Sequence, residues 1–260
     1  MKILITGARG TIGRRLVPRL ESEHELILTS RSAVDGDDRW RQVDVTQLDQ
    51  VEAAAEGMDA IIHLAIATGH EGDYEDDRFN DERWDINAKG TYNVFEAAAR
   101  AGVRRVVYTS SLTVVWGYPA PEWVPADAPG KPVETYGLTK YVGEQIARTY
   151  ARLHHMEVLC LRIPAPIDVD DPATAGGSIL PQWMAFSDLV EAFSLSVTAP
   201  VSGCEVVTLV GESSQRRWDL SKAEKLLGYK GQVWLEKLGY DLREEPADYS
   251  RPGSVHGDDF

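Results

Sequence analysis

The sequence predicts an α/β fold: a parallel sheet doubly wound, with helices on both faces and a small C-terminal portion. Three observations carry this. Strand-like apolar runs alternate with helical stretches at βαβ spacing across residues 2–163. The strand candidates are continuous apolar runs, as expected where helices cover both faces. The alternation then stops at Pro164, and Pro166, Pro172 and the pair Gly176–Gly177 mark a long loop.

Residues 2–6 (KILIT) read as a short buried strand, followed by a glycine turn and a helix from about Ile12 to Leu20. HELILTSR (24–31) is a second strand, RQVDVT (41–46) a third with a helix at 47–57, and DAIIHLA (59–65) a fourth. The stretch 87–102 has helical spacing, with Val94, Phe95, Ala98 and Ala99 apolar, and it ends at Gly102. RRVVYTSS (104–111) is a fifth strand, 136–153 a further helix and MEVLCLRI (156–163) a sixth strand. Beyond the break come a helix at 186–197, a strand at 206–210 and a helix at 219–227. From about 241 the chain is polar with Pro and Gly, which reads as a surface tail.

Composition removes several classes. The net charge of −14 argues against nucleic acid, whose phosphates would be repelled. No run of eighteen apolar residues predicts a membrane span. The start lacks the pattern of a signal peptide, and the two cysteines, Cys160 and Cys204, sit in apolar runs without metal-ligand spacing. A cytoplasmic chain without a metal is the expectation. His154–His155 near a helix end reads as exposed, and the acidic stretch 71–85 as a solvated face without the loop spacing of a calcium site.

Gly7, Gly10 and Gly13 follow a strand and open a helix. A tight turn, close backbone approach to a pyrophosphate and first-turn N–H groups facing an anion need that context, so the turn points to a bound dinucleotide and a Rossmann-type sheet. Arg9, Thr11 and Ile12 complete the turn. An acidic residue ending the second strand would grip a ribose with two free hydroxyls. This strand ends instead in Ser30 and Arg31, which offer donors to a 2′-phosphate, with Arg9 on the same side. NADP is therefore expected ahead of NAD. Arg14 and Arg15 read as surface residues.

Tyr136 and Lys140 lie four apart on a predicted helix and share a face. A free tyrosine, with a pKa of about 10, is a poor base at neutral pH. A nearby ammonium favours the phenolate and makes a general acid/base for an alcohol proton. Ser111 ends the fifth strand, where ligands of a parallel sheet sit, and its hydroxyl can orient a substrate oxygen. Ser110 and Thr113 are alternatives for that role.

With these residues in view, TGARGTIG resembles the fingerprint of extended, epimerase-like short-chain dehydrogenases/reductases. The resemblance spans roughly residues 1–230 and includes Asp44-Val45, His63-Leu64-Ala65, Asn87 in NAKGTYNVFEAA, Tyr136 and Lys140 in YGLTK, and RRWDLSKAEKLLGY (216–229). It implies that Asp44 and Val45 lie by the adenine, that Leu64, Ala65, Asn87 and Ile163 border the dinucleotide, that Lys140 holds the nicotinamide ribose, and that Ser111 is the catalytic serine. It implies a homodimer through the helices at 87–102 and 136–153, with Ala97, Ala98 and Ala99 allowing close packing. Leu112, Thr113 and Val114 replace the Asp-Glu pair that the family's dehydratases carry after the serine, which argues against elimination.

SILPQWMAFSDLVEAF (178–193) and PVSGCEVVTLVG (200–211) resemble the uronate dehydrogenase subgroup. The chain departs from it at Leu112-Thr113, where Asn-His is usual, and at Ser178, where an arginine meets the substrate carboxylate. A uronate, a neutral sugar and another small alcohol or carbonyl compound stay open. Trp116, Tyr118 and Trp123 either line that pocket or pack a long loop.

The expected organisation is a dinucleotide-binding unit at 1–163, a small substrate-binding portion at 164–240 packed on it, and a tail at 241–260. The expected function is NAD(P)-dependent hydride transfer to or from a small sugar-like substrate. The alternatives are an epimerase working through a transient ketone and a non-catalytic NADP-binding redox sensor.

Overall fold

The computed structural model describes residues 1–68 and 73–245. Its first half delivers β1 (Lys2–Thr6), α1 (Gly13–Leu20), β2 (Glu25–Ser30), β3 (Trp40–Gln42), α2 (Leu48–Ala55) and β4 (Ala60–His63). Next come α3 (Asp77–Arg83), a wider π-type turn at Trp84–Lys89, α4 (Gly90–Ala101), β5 (Arg105–Ser111), α5 (Thr135–His154) and β6 (Glu157–Ile163). The remainder holds β7 (Pro166–Ile167), β8 (Ser178–Ile179), β9 (Met184–Ala185), α6 (Phe186–Thr198), β10 (Cys204–Thr208), α7 (Ser221–Leu227) and β11 (Asp241–Leu242).

Seven strands form one parallel sheet in the order β10-β6-β5-β4-β1-β2-β3. The strand order reverses between β1 and β4, the place where such sheets open a crevice at their carboxyl ends. One face is sealed by α1 and α6, with Leu16, Leu20, Leu189 and Phe193 on Ile3 and Ile5. The other is sealed by α2, α4 and α5, with Val51, Val94, Phe95 and Ala147 on Leu4 and Ile61. Both faces are therefore dry, which is why the strands read as unbroken apolar runs.

The structure corrects several expectations. The third strand stops at Gln42, because Asp44 folds its carboxylate back on the Thr46 amide at 2.9 Å and the Thr46 hydroxyl at 2.8 Å. Ala97 and Ala98 are buried among the core side chains between α4 and the sheet, so these small residues serve internal packing. Residues 241–245 are part of the fold: β11 pairs with β8, and Glu245 binds Arg217 at 2.8 Å. Only 246–260 of the expected tail lie outside the described residues. The segment after Pro164 also reaches into the main sheet, since β10 pairs with β6 along its length. Cys160 and Cys204 are free thiols with their sulfurs 3.8 Å apart on those two strands. His154 and His155 are exposed, and His155 closes α5 in the left-handed conformation.

Among the described residues no helix is long and apolar enough to cross a membrane, and no group of three or more His, Cys, Asp or Glu is arranged to hold a metal.

Candidate active site

The glycine turn is built by exclusion of side chains. Gly7 has φ +69°, and a Cβ there would stand 2.7 Å from the Ala65 amide nitrogen. A Cβ on Gly13, the first residue of α1, would stand 2.4 Å from the Ala8 carbonyl oxygen. Only glycine permits β1, β4 and α1 to meet this closely. Thr11 and Ile12 complete the turn, and the Arg14 amide donates to the Gly10 carbonyl at 3.0 Å to start the helix.

Beside the turn lies a cavity of about 190 Å³. Gly7, Arg9 and Gly10 form one wall, and Ser30 and Arg31 from the end of β2 form another. Asp44, Val45, Leu64 and Ala65 line it further, with Thr68, Glu82 and Ile86 on the remaining side. Arg9 and Arg31 pair with no carboxylate among the described residues. A glycine cradle flanked by two guanidinium groups that have no carboxylate partner among the described residues fits a dinucleotide. Arg15, expected on the surface, instead pairs with Asp168 and stacks 4.0 Å from the centre of the Phe186 ring, tying α1 to the C-terminal portion. A larger depression of about 640 Å³ lies beyond Arg9 against α1 and carries none of the predicted catalytic residues.

At the carboxyl end of β5, the helix α5 brings Ser111, Tyr136 and Lys140 together. Ser111 is the last residue of the strand and faces Ile163 of β6 across the ladder. Its Oγ accepts from the Thr113 amide at 3.2 Å and from the Thr113 hydroxyl at 2.9 Å, and it is close enough to Tyr136 to favour the phenolate. Ser110 is spent elsewhere, donating to Glu144 at 2.7 Å, and Thr113 serves Ser111 itself. Lys140 is buried, donates to the Thr109 carbonyl at 2.8 Å and stands 5.8 Å from the centre of the Tyr136 ring. Asn87, on the π-type turn, accepts from the Ala67 amide at 2.8 Å and donates to Thr139 at 3.2 Å.

Burial dominates the electrostatics. It pushes the Tyr136 phenol up to about 12, against the pull of Ser111 and the Arg83 charge. It pushes the Lys140 ammonium down to about 7. His63, sealed at the end of β4, is held neutral with its pKa near 3 by burial and by the charge of Lys140.

Three features escaped the sequence reading. Arg83 comes from the acidic stretch expected to be a solvated face, yet it is 1% exposed, with its guanidinium about 4 Å from the rings of Tyr74 and Phe79. One of its nitrogens donates to Glu75 at 3.2 Å and Asn80 at 2.7 Å, while Nε and Nη2 have no partner among the described residues. Glu75 in turn accepts from the Thr135 hydroxyl at 2.6 Å, next to Tyr136. The second is the buried pair Glu144–Arg162, and the third the internal bonding of His63. No spacing rule signals such long-range partners. Trp116 packs with Leu112, Val114 and Trp218, Tyr118 packs against the same cluster, and Trp123 is 53% exposed.

The sequence profile of the NAD dependent epimerase/dehydratase family matches residues 3–185. The chain is 30% identical to a uronate dehydrogenase of Pseudomonas syringae pv. tomato over 95% of its own length and 88% of that protein's. It is 28% identical to an L-arabinose 1-dehydrogenase (NAD(P)(+)) of Haloferax volcanii over 88% and 95% of the two chains. Its fold superposes with a TM-score of 0.81 on a tyrosine variant of the Agrobacterium tumefaciens uronate dehydrogenase complexed with NAD, at 26% identity and covering 100% and 98% of the chains.

Proposed function

Because the chain belongs to the NAD dependent epimerase/dehydratase family, we propose that it is an NAD(P)-dependent oxidoreductase acting on a small sugar-like alcohol or its carbonyl product. The observation that carries this reading is the convergence of Ser111, Tyr136 and Lys140 at the carboxyl end of β5, one strand from the glycine turn's neighbour β4. The relatives that are sugar dehydrogenases over nearly the whole chain support the substrate class.

A bound nicotinamide supplies the hydride acceptor or donor. Ser111 orients the substrate oxygen, and Tyr136 takes or returns the hydroxyl proton at its phenolic oxygen. The cost of ionising a buried phenol is offset by Ser111 and by Arg83. Lys140, 5.8 Å from the centre of the Tyr136 ring, would hold the ribose. Gly7, Gly10 and Gly13 would admit the pyrophosphate, Asn87 would hold the segment after β4 through the Ala67 amide, and Asp44, Val45, Leu64 and Ala65 would border the adenine side. Arg9 and Arg31, unpaired on one cavity, support NADP as the preferred cofactor.

Residues 164–240 act as the substrate-binding portion over a dinucleotide unit at 1–163. The chain works as a homodimer, for which the exposed Trp84 and Tyr92 around α4 and Leu138 on α5 supply the apolar surface. Two neighbouring free thiols support a reducing, cytoplasmic setting.

The test is a screen of neutral sugars, uronates and small alcohols with NAD and NADP in parallel, followed at 340 nm. Net absorbance change with at least one sugar is expected, and substitution Tyr136→Phe should lower the rate by roughly 10²-fold or more. Conversion without net absorbance change would instead indicate an epimerase. An unchanged rate in Tyr136→Phe refutes the catalytic assignment and favours a non-catalytic sensor.

A further inference from the structure

A file of buried hydrogen bonds runs from the glycine turn's neighbourhood to Tyr136. The Ala65 amide, which abuts Gly7, donates to Thr6 Oγ1 at 3.4 Å. Thr6 Oγ1 lies 2.6 Å from His63 Nδ1, and His63 Nε2 lies 3.0 Å from Thr91 Oγ1. Thr91 donates to the Asn87 carbonyl at 2.6 Å. The Asn87 side-chain amide donates to Thr139 Oγ1 at 3.2 Å, and Thr139 donates to the Tyr136 carbonyl at 2.8 Å.

The proton positions follow from counting. A hydroxyl carries one hydrogen, and that of Thr91 goes to Asn87, so the bond between Thr91 and His63 is donated by Nε2–H. A neutral imidazole then has a bare Nδ1, which accepts from Thr6. Thr6 donates its one hydroxyl hydrogen there and accepts from the Ala65 amide on a lone pair. Each bond therefore points the same way, from Ala65 toward Tyr136. From Ala65 to the Asn87 carbonyl the bonds are aligned head to tail and strengthen one another, and the Asn87 side chain carries the connection on to Thr139. His63 is the one ring in the file. It is 1% exposed and stacked on Tyr108 at 5.9 Å between centroids, so it has no room to turn.

We propose that His63 is a positioning residue: through Thr91, Asn87 and Thr139 it ties the backbone behind the glycine turn to the helical turn that carries Tyr136. This rests on the oxidoreductase reading, in which Tyr136 transfers the proton. Its consequence is that the dinucleotide seat and the proton-transfer group share one register. His63 touches neither substrate nor cofactor.

The test uses four variants of the full chain, assayed for kcat, for KM of the dinucleotide, and for folded fraction by circular dichroism. Thr91→Val removes one hydroxyl at constant shape and cuts the file without opening a cavity. His63→Asn keeps an acceptor at the Nδ1 position but no donor that reaches Thr91. Each is expected to lower kcat about tenfold per folded enzyme, the effect of one lost hydrogen bond, with the dinucleotide KM within about twofold. The double variant should be no worse than either single one, because both cut the same file. His63→Gln, which restores a donor near the Nε2 position, should recover most of the rate.

An unchanged kcat per folded enzyme in Thr91→Val and His63→Asn, with Tyr136→Phe inactive, overturns the proposal and leaves the oxidoreductase reading standing. Losses that multiply in the double variant also overturn it. A fully active Tyr136→Phe removes the reading beneath it.

Discussion

Substituting Glu144→Ala should destabilise this protein more than almost any other single change. Glu144 and Arg162 are 0% and 3% exposed and meet through two bonds of 2.8 Å. Ser110 donates to the same carboxylate at 2.7 Å, and Arg162 also holds the Ala128 carbonyl at 3.0 Å. Removing the carboxylate leaves a buried guanidinium with one neutral acceptor and strands the Ser110 hydroxyl. Breaking such a pair from one side costs about 3–5 kcal/mol. At about 2–4 °C per kcal/mol for a chain of this size, a loss near the middle of that range lowers the melting temperature by roughly 8–16 °C. Scanning calorimetry and urea unfolding, with an unchanged m-value, measure it. The paired replacement Glu144→Leu with Arg162→Met should regain most of the loss, because it leaves no unpaired charge. A single variant within about 2 °C of the parent, or a double variant less stable than the single, would refute this reasoning.

Three further outcomes are expected. Gly7→Ala forces a Cβ to 2.7 Å from the Ala65 amide at φ +69°, and calorimetric titration should find dinucleotide binding at least about tenfold weaker, with about 1–2 kcal/mol of stability lost. Arg31→Ala should reduce the NADP-over-NAD ratio of kcat/KM by about tenfold while leaving kcat with NAD unchanged, since a charge-assisted bond is worth about 1.5–3 kcal/mol. Lys140 binds its proton less readily folded, near 7, than unfolded, near 10.5, so between those values the unfolded chain holds more protons and stability rises with pH. Urea midpoints measured from pH 7 to 9.5 should therefore climb less steeply in Lys140→Met than in the parent.

Much of this was legible in the chain. The glycine turn, the alternating runs and the Tyr136/Lys140 spacing are local, and each is dictated by backbone sterics or helix period. The short third strand was not, because Asp44 ends it through a side-chain turn on Thr46 rather than through a change in hydropathy. Arg83 was missed for a related reason: its surroundings in sequence are acidic, but its surroundings in space are two aromatic rings and the start of α5. The alanines of α4 were readable as small, but which way they faced was decided by packing on the sheet. His63 was seen as a motif letter. Its role depends on Thr6 and Thr91, 57 residues before it and 28 after it, and such partners leave no periodic trace.

The pairing of β10 with β6 has a consequence for anyone who would cut this protein up. A fragment ending at Ile163 retains the glycine turn, Ser111, Tyr136 and Lys140, yet it turns the interior strand β6 into a raw edge of unsatisfied amides and carbonyls. Such a fragment should clump rather than bind a dinucleotide. The segment after Pro164 thus also supplies the edge strand of the sheet, and remodelling that segment draws on the stability of the whole sheet.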